Sequence, residues 1–400
     1  MALLPVAEAL ARVTQGLEPL DAEWVPVAKG YGRVLAEDLA ARLSQPPFDA
    51  SAMDGYAVRA EDVAALPATL KLIGESVAGR GFGGVVGQAE AVRIFTGAPV
   101  PKGADTVVIQ ENADQANGVV TVKEAAPGRH IRPHGQDFIE GEVLLREGLR
   151  LGPRELMLAA AMNHAELPVR RRPRVAILST GDEVVPPGST LGADEIVASV
   201  SYGLGALVEA QGGESMSLGI AKDTPESLIA LIRAGSAADI LLTIGGASVG
   251  ERDLVGSALR SEGLELDFWK IAMRPGKPLL YGRLGSQRVL GVPGNPVAAL
   301  ICGLVFLVPM LHRLLGLRED ARGPLEAVLG RDLEANGPRE HYMRGVSAWA
   351  PDGERLVTAL PSQDSSLMAD FARADCLIVR PPHAPALAKG QRVRIISFDA

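Results

Sequence analysis

Ile240-Leu241-Leu242-Thr243-Ile244-Gly245-Gly246-Ala247-Ser248-Val249-Gly250-Glu251-Arg252-Asp253 passes from an apolar run through glycines into the start of a helical pattern. A strand that ends in glycines lets backbone N–H groups approach an anion closely, and the helix that follows adds the positive end of its dipole. Ser248 offers a hydroxyl, while Glu251 and Asp253 bring carboxylates to the same mouth. Two acids beside a phosphate cradle repel the ligand unless a divalent cation lies between them. The segment therefore predicts magnesium together with an anionic substrate. The competing reading is a Gly-rich turn capped by Asp253.

The chain around this segment is long enough for several cores. Its 400 residues exceed what one hydrophobic core serves, so a modular architecture of two to four domains is expected. Apolar residues make up 47% with only 4% aromatic, and 45 Gly and 28 Pro imply many turns in an Ala/Val/Leu-rich enzyme. A net charge of −8 with interspersed signs leaves no basic face for nucleic acid or an anionic membrane, so an anionic ligand must be met locally. Cys302 and Cys376 stand far apart, outside any Cys-x-x-Cys spacing, which fits packing roles and a reducing compartment. The first ten residues carry Pro5 and Glu8 and lack a basic n-region, unlike a signal peptide, so the expected location is cytoplasmic. Val297 to Leu311 is a long apolar run but short of a span, and it contains Pro309; a buried helix is the expectation.

Working outward, residues 1 to about 20 read as an amphipathic helix and Pro153 to Asn163 as another. Between them Thr69–Ile73, Ala91–Phe95 and Val119–Val122 are short alternating runs between Gly/Pro clusters, which predicts an inserted antiparallel β module. Arg170-Arg171-Arg172-Pro173-Arg174 reads as a solvated linker at a domain boundary. From Val175 strands alternate with helices, and Thr224-Pro225 signs one helix start with a cap followed by proline. This βα series predicts a mostly parallel sheet with ligands at its carboxyl edge. After Gly323-Pro324 short strands return, as in a small β-barrel or sandwich.

Several loops could carry chemistry. Asp49-Ala50-Ser51-Ala52-Met53-Asp54-Gly55-Tyr56 is too irregular for a helix or a central strand and gathers Ser51, Asp54 and Tyr56 beside a glycine. Thr96-Gly97-Ala98-Pro99 and Arg132-Pro133-His134-Gly135-Gln136-Asp137 share that character. Thr180-Gly181-Asp182-Glu183 follows the Val175 strand at the same sheet edge as Gly245. Arg274-Pro275-Gly276-Lys277-Pro278 sets two positive charges in a proline-stiffened turn, where an oxyanion costs little ordering. Pro293-Gly294-Asn295-Pro296 adds an amide and a helix N-terminus. Metal-assisted chemistry at a phosphoanhydride or oxyanion fits this inventory; hydride or acyl transfer does not.

Three features are decoys. Gly79-Arg80-Gly81-Phe82-Gly83-Gly84 matches a dinucleotide pattern but no helix pattern follows it. His130 and His134 have helical spacing, yet Pro133 and Gly135 forbid the helix that would align them on zinc. Ser199 and Ser201 near a helix start read as caps.

Taken together, Ser51–Ala57, Thr96–Pro99, Thr180–Glu183, Gly245–Gly250, Pro275–Pro278 and Pro293–Pro296 resemble, in order and spacing, the molybdopterin molybdenumtransferase family, which includes the gephyrin C-terminal domain. The resemblance implies an α/β multidomain fold: a central α/β domain with a mostly parallel sheet over 173–322, an inserted irregular β module over 21–39 and 49–141, an elongated N-terminal helical/β part over 1–20, 40–48 and 142–172, and a C-terminal β-barrel-like domain over 323–400. It further implies insertion of molybdate into adenylylated molybdopterin, with Mg²⁺-dependent cleavage of the adenylate and release of AMP and molybdenum cofactor. A cytoplasmic homodimer is implied, whose site combines the inserted module of one subunit with the α/β domain of the other. Partner proteins would be the molybdopterin adenylyltransferase and acceptor molybdoenzymes, with no nucleic acid and no membrane.

By the same resemblance Asp54, Thr96, Arg132 and Asp137 come from the module, and Glu183, Asp223, Asp253, Arg274, Lys277, Pro293 and Pro296 from the rest. Asp54, Glu183, Asp223, Asp253 and Lys277 are the catalytic candidates, with Asp223 and Asp253 on magnesium or the adenylate. Glu183 goes to the molybdate or pterin end, and Arg274 and Lys277 to the oxyanion. Ser51, Thr180, Gly245, Gly246, Ser248 and Asn295 complete the substrate-binding candidates. Two departures stand out: Arg274 where the family often has Lys, which keeps the charge, and Val200 where Asn is common, which removes a possible hydrogen bond. A non-catalytic scaffold and a phosphotransferase or adenylate hydrolase with another substrate are the alternatives.

Overall fold

The computed structural model describes residues 3–246, 254–318 and 325–398, and the chain falls into two compact units. One comprises residues 1–23, 32–36 and 170–400; the other comprises 24–31 and 37–169.

The larger unit begins with α1 (Val6–Thr14), not the twenty-residue helix expected from the pattern. Pro5 cannot extend the helix backwards, and Gly16 at φ 65° turns the chain away after it. Val6, Ala9 and Val13 bury one face in the core of this unit.

The smaller unit holds a six-stranded sheet built from β1 (Gly55–Val58), β2 (Ala68–Ser76), β3 (Glu90–Ile94), β4 (Thr106–Ile109), β5 (Ala113–Ala116) and β6 (Val119–Val122), in the order β4-β1-β3-β2-β6-β5. It is not wholly antiparallel as expected: β2 and β3 run parallel, with Ser76 opposite Ile94. The long Gly-rich excursion between them gives the chain room to cross over. Alternate residues feed two apolar clusters, Tyr56, Val58, Leu70 and Val120 on one face and Ala57, Val92, Ile94 and Val107 on the other. Gly79-Arg80 sits in a tight turn where Val77 and Arg80 exchange backbone hydrogen bonds, and no helix follows. The same unit carries α2 (Pro153–Ala161).

The α/β part of the larger unit follows in order β7 (Arg174–Thr180), α3 (Val200–Ala210), β8 (Glu214–Ala221), α4 (Pro225–Ala234), β9 (Ile240–Ile244), α5 (Leu254–Ser261), β10 (Glu265–Lys270), β11 (Pro278–Leu284), β12 (Gln287–Val292) and α6 (Pro296–Leu314). The sheet order is β8-β7-β9-β12-β11-β10; the first four strands are parallel, and β11 and β10 return antiparallel. Period-two alternation sends Ile177, Ile240, Leu242 and Leu290 toward α1, α3 and α6. Ala176, Leu178, Leu241 and Val289 face α4 and α5. Helices on both faces leave the carboxyl ends of the parallel strands as the open edge. Helix α6 is long and apolar enough to cross a bilayer by composition, yet Val297, Ile301, Phe306, Met310 and Leu311 are buried in the core. Its wider turn at Gly303–Leu307 comes just before Pro309, whose missing N–H cannot serve a regular ladder.

The last strands, β13 (Leu325–Leu329), β14 (Glu340–Trp349), β15 (Arg355–Ala359), β16 (Cys376–Arg380) and β17 (Arg392–Ser397), close on themselves as β14-β15-β13-β17-β16-β14. This is the barrel-like domain expected at the C-terminus. Cys302 and Cys376 are both buried, and burial pushes each thiol up to about 12, so neither is a thiolate at neutral pH.

The Arg170–Arg174 stretch is no solvated linker. Arg170 donates to Leu20 O at 2.9 Å and to Ala36 O at 3.2 Å. Arg171 forks onto Asp239 at 2.8 and 2.9 Å, and Arg174 N donates to Asp239 at 2.8 Å. Burial works against the Asp239 charge, but the hydrogen bonds from Arg171 and Arg174 outweigh it and hold the carboxyl below its usual 3.8. A depressed carboxyl stabilises the fold above its unfolded value and loses that contribution as pH falls through its folded value. Asp239→Ala is expected to lower unfolding free energy by ~1–2 kcal/mol at pH 7, since the partly buried carboxylate gives up its hydrogen bonds from Arg171 and Arg174 while the partly exposed Arg171 guanidinium can turn to solvent. The difference from wild type should shrink below pH 3.8, measured by urea unfolding. A difference that does not change with pH would refute the assignment.

Candidate active site

A cavity of about 940 Å³ opens at the carboxyl ends of β7, β9 and β12. Its floor is the β9 terminus. Gly245 and Gly246 adopt φ 85° and 60° there, and a Cβ on them would lie 2.9 Å from Thr180 Oγ1 and 2.2 Å from Val255 Cγ2. Only glycine allows the backbone to pass this close, which is why the signal was strong in the sequence. Thr180 Oγ1 donates to Ile244 O at 3.0 Å and locks the β7 end against the β9 end.

The turn after β7 bends Glu183 over the cavity, where its carboxylate is exposed. Asp223 reaches the same cavity from the loop after β8. Asp182 accepts from Asp223 N at 3.0 Å, and Thr224 caps α4 by accepting from Ser227 N at 3.3 Å, so the loop is fixed on both sides. Neither Glu183 nor Asp223 has an ion-pair partner among the described residues. The third wall is Pro293-Gly294-Asn295-Pro296 at the start of α6, with Pro296 at the first helical position. Thr180, Glu183, Asp223, Gly245, Gly246, Pro293, Asn295 and Pro296 thus share one cavity. Ser248 and Asp253 lie outside the described residues.

Arg274 and Lys277 are both exposed, in the turn that leads to Pro278, itself part of the cavity wall. Arg274 stands in register with His341 of β14. Burial first, then Arg274, Arg339, Arg380 and Arg344, push the His341 imidazole down to about 4, so it is neutral at pH 7 while the arginines keep the region positive.

In the smaller unit the remaining candidates gather on interlaced loops. Ile131-Arg132 pairs with Ala50-Ser51, Gly97 N donates to Ser51 O at 2.8 Å, and Asp137 N donates to Gln45 O at 2.9 Å. Asp54 accepts from the backbone N and the hydroxyl of Thr96, both at 2.8 Å, and these bonds hold its carboxyl below the usual range with help from Arg93. Ser51 is buried and donates to Met53 O at 2.6 Å, so its hydroxyl shapes the loop. Arg132 and Asp137 are exposed. His130 has φ 63°, incompatible with the helix that zinc binding by His130 and His134 would need.

Sequence reasoning missed the loop after β15. Asn295 donates to Ser365 Oγ at 3.2 Å and Val297 N to Ser365 O at 3.2 Å, while Ser366 and Met368 line the cavity. Buried Arg344 fixes this loop by donating to Ser362 O at 2.9 Å and Leu367 O at 3.2 Å. Ser199 also lines the cavity. It makes no cap bond, and its hydroxyl reaches Met368 Sδ at 3.4 Å, so the cap assignment is corrected. Val200 lines the cavity too.

A glycine cradle at a parallel-strand edge, flanked by carboxylates and by a two-cation turn, defines an α/β enzyme that handles phosphorylated or oxyanionic substrates. Three family descriptions cover the chain: the MoeA N-terminal region (domain I and II) at 4–163, a probable molybdopterin binding domain at 176–313 and the MoeA C-terminal region (domain IV) at 326–398. The molybdopterin molybdenumtransferase of Haemophilus influenzae is 34% identical over 99% of both chains, and that of Nostoc is 37% identical over 94% of this chain and 89% of its own. Two crystal structures of the molybdopterin biosynthesis MoeA protein of Pyrococcus horikoshii match with TM-scores of 0.85 and 0.84 at 33% and 27% identity. The first match covers all of both chains. The chain belongs to the molybdopterin molybdenumtransferase family. It is a transferase of molybdenum insertion in molybdenum cofactor biosynthesis.

Proposed function

We propose that the chain transfers molybdate to adenylylated molybdopterin, with Mg²⁺-dependent cleavage of the adenylate and release of AMP and molybdenum cofactor. The observation that carries this reading is the union, in one cavity, of a backbone cradle at Gly245-Gly246 with the carboxylates Glu183 and Asp223, which have no ion-pair partner among the described residues. The cradle and the α6 N-terminus suit a phosphate; the carboxylates suit a hard cation that offsets its charge. The donors are all oxygen, which fits magnesium, and Asp223 with Asp253 would hold it. When bound, the ion supplies charge neutralisation on the phosphoanhydride. Thr180 and Asn295 orient the substrate, and Ser248, outside the described residues, is kept as a substrate-binding candidate on the family likeness. Glu183 stands at the molybdate or pterin end, and Arg274 and Lys277 bind the oxyanion.

The family likeness supports a contribution from Asp54, Thr96, Arg132 and Asp137, with Asp54 ionised by its Thr96 bonds. It also supports a homodimer and a cytoplasmic location. Partners on this reading are molybdopterin adenylyltransferase and acceptor molybdoenzymes, and the four-part domain division set out from the sequence is retained as part of it. AMP release from adenylylated molybdopterin with magnesium is expected to rise at least ~10-fold on addition of molybdate, the scale of one properly positioned reactant. Equal release with and without molybdate would reject insertion in favour of plain adenylate hydrolysis.

A further inference from the structure

Arg93, near the end of β3, carries a charge that no carboxylate answers. It stands in register with Tyr56 of β1. Its guanidinium carbon lies 5.0 Å from the centroid of the Tyr56 ring and 5.0 Å from that of Phe95, so two aromatic faces attract the cation and screen it from water. Glu75 is opposite Arg93 on β2 and would be its ready partner in a purely structural pair. Instead Glu75 pairs with Arg80 at 2.9 Å, and Arg93 has no ion pair among the described residues.

The hydrogen bonds of this guanidinium go to the backbone around Asp54. Nη1 donates to Gly55 O at 3.3 Å, and Nη2 donates to Gln110 Oε1 at 2.7 Å. Gln110 in turn donates its backbone N to Asp54 O at 3.0 Å. One cation therefore ties down two successive carbonyls, that of Gly55 directly and that of Asp54 through Gln110. Gly55 has no room to shift, since a Cβ there would lie 1.9 Å from Val108 O. Three residues beyond Arg93, Thr96 holds the carboxylate itself by two bonds of 2.8 Å. Those bonds first, and then the Arg93 charge, keep the Asp54 carboxyl below its usual range.

We propose that Arg93 is a positioning residue for molybdenum transfer, acting through Asp54: its forked guanidinium fixes the loop so that this carboxylate keeps one orientation. The assignment rests on the reading that Asp54 takes part in the reaction. A guanidinium suits the task because its planar fork serves two acceptors at once, whereas an ammonium supplies the charge alone.

The test is a double-mutant cycle on the full-length protein, reading molybdenum cofactor formed from adenylylated molybdopterin, molybdate and magnesium. Arg93→Met keeps a flexible apolar side chain beside the two rings, a contact that suits its sulfur. It is expected to lower kcat at least ~10-fold and to leave the KM for molybdate within about 2-fold, as a misaimed group does and a lost substrate contact does not. In an Asp54→Asn background the same change should cost less than about 2-fold, because the charge it aims has already gone. Arg93→Lys keeps a cation beside the rings but loses the fork, and should lose ~3–10-fold in the wild-type background and less than about 2-fold in Asp54→Asn. It keeps the cycle decisive if the methionine variant does not fold. Equal losses in the two backgrounds, or wild-type kcat in the folded Arg93 variants, would overturn the assignment. Wild-type turnover in Asp54→Asn alone would instead sink the reading of Asp54, and this one with it.

Discussion

Asp223→Asn is expected to lower molybdate-dependent AMP release by at least ~10², the size of losing one preorganised electrostatic group. The loop that carries Asp223 is fixed without using its carboxylate: Asp182 holds the backbone N at 3.0 Å, and Thr224 starts α4 immediately afterwards. The side chain is exposed at the cavity and has no partner among the described residues, so asparagine keeps the shape and costs folding less than ~0.5 kcal/mol. What disappears is the negative charge that would offset a divalent cation against the phosphates. The magnesium concentration for half-maximal rate should rise along with the loss in kcat. Near-wild-type turnover at the same magnesium concentration would remove Asp223 from the machinery.

Lys277→Ala is expected to cost a similar factor, at least ~10² in kcat/KM for molybdate, for the opposite reason. Its ammonium is an exposed point charge in a turn whose backbone is fixed, since Ile271 N donates to Lys277 O at 3.0 Å and β11 begins at Pro278. Alanine therefore removes charge and leaves the turn in place. Lys277→Arg should recover part of the activity, whereas a purely structural role would not separate the two variants. AMP affinity should change little, because the phosphate cradle lies at Gly245-Gly246. A molybdate dependence indistinguishable from wild type would place the oxyanion elsewhere.

The central architecture was legible because its signals are local. Continuous apolar strands such as Ile240–Ile244, the Thr224-Pro225 helix start and the glycines after β9 each follow from backbone sterics within a few residues. Glu183, Gly245 and Asn295 could be assigned to one edge because parallel strands bring their carboxyl ends together, whereas Asp223 entered only through the family resemblance and the strand pattern alone made it a residue before a helix. Where long-range contacts decide, the sequence was mute. Arg170–Arg174 looks like a linker until Asp239, dozens of residues away, becomes the partner of Arg171. The parallel pairing of β2 with β3 has no period that sets it apart from an antiparallel one. The Ser365–Met368 loop is ordinary polar sequence, and it reaches the cavity only because buried Arg344 anchors it from another strand.

The most direct measurement of a single cavity assembled from distant turns is anomalous diffraction at the molybdenum edge from crystals soaked with molybdate, AMP and magnesium. The account predicts molybdenum beside the Arg274–Lys277 turn and AMP in the Gly245 cavity, with its phosphate against Gly245-Gly246 and its charge near Asp223. Molybdenum or AMP found only on surfaces remote from these residues would contradict it.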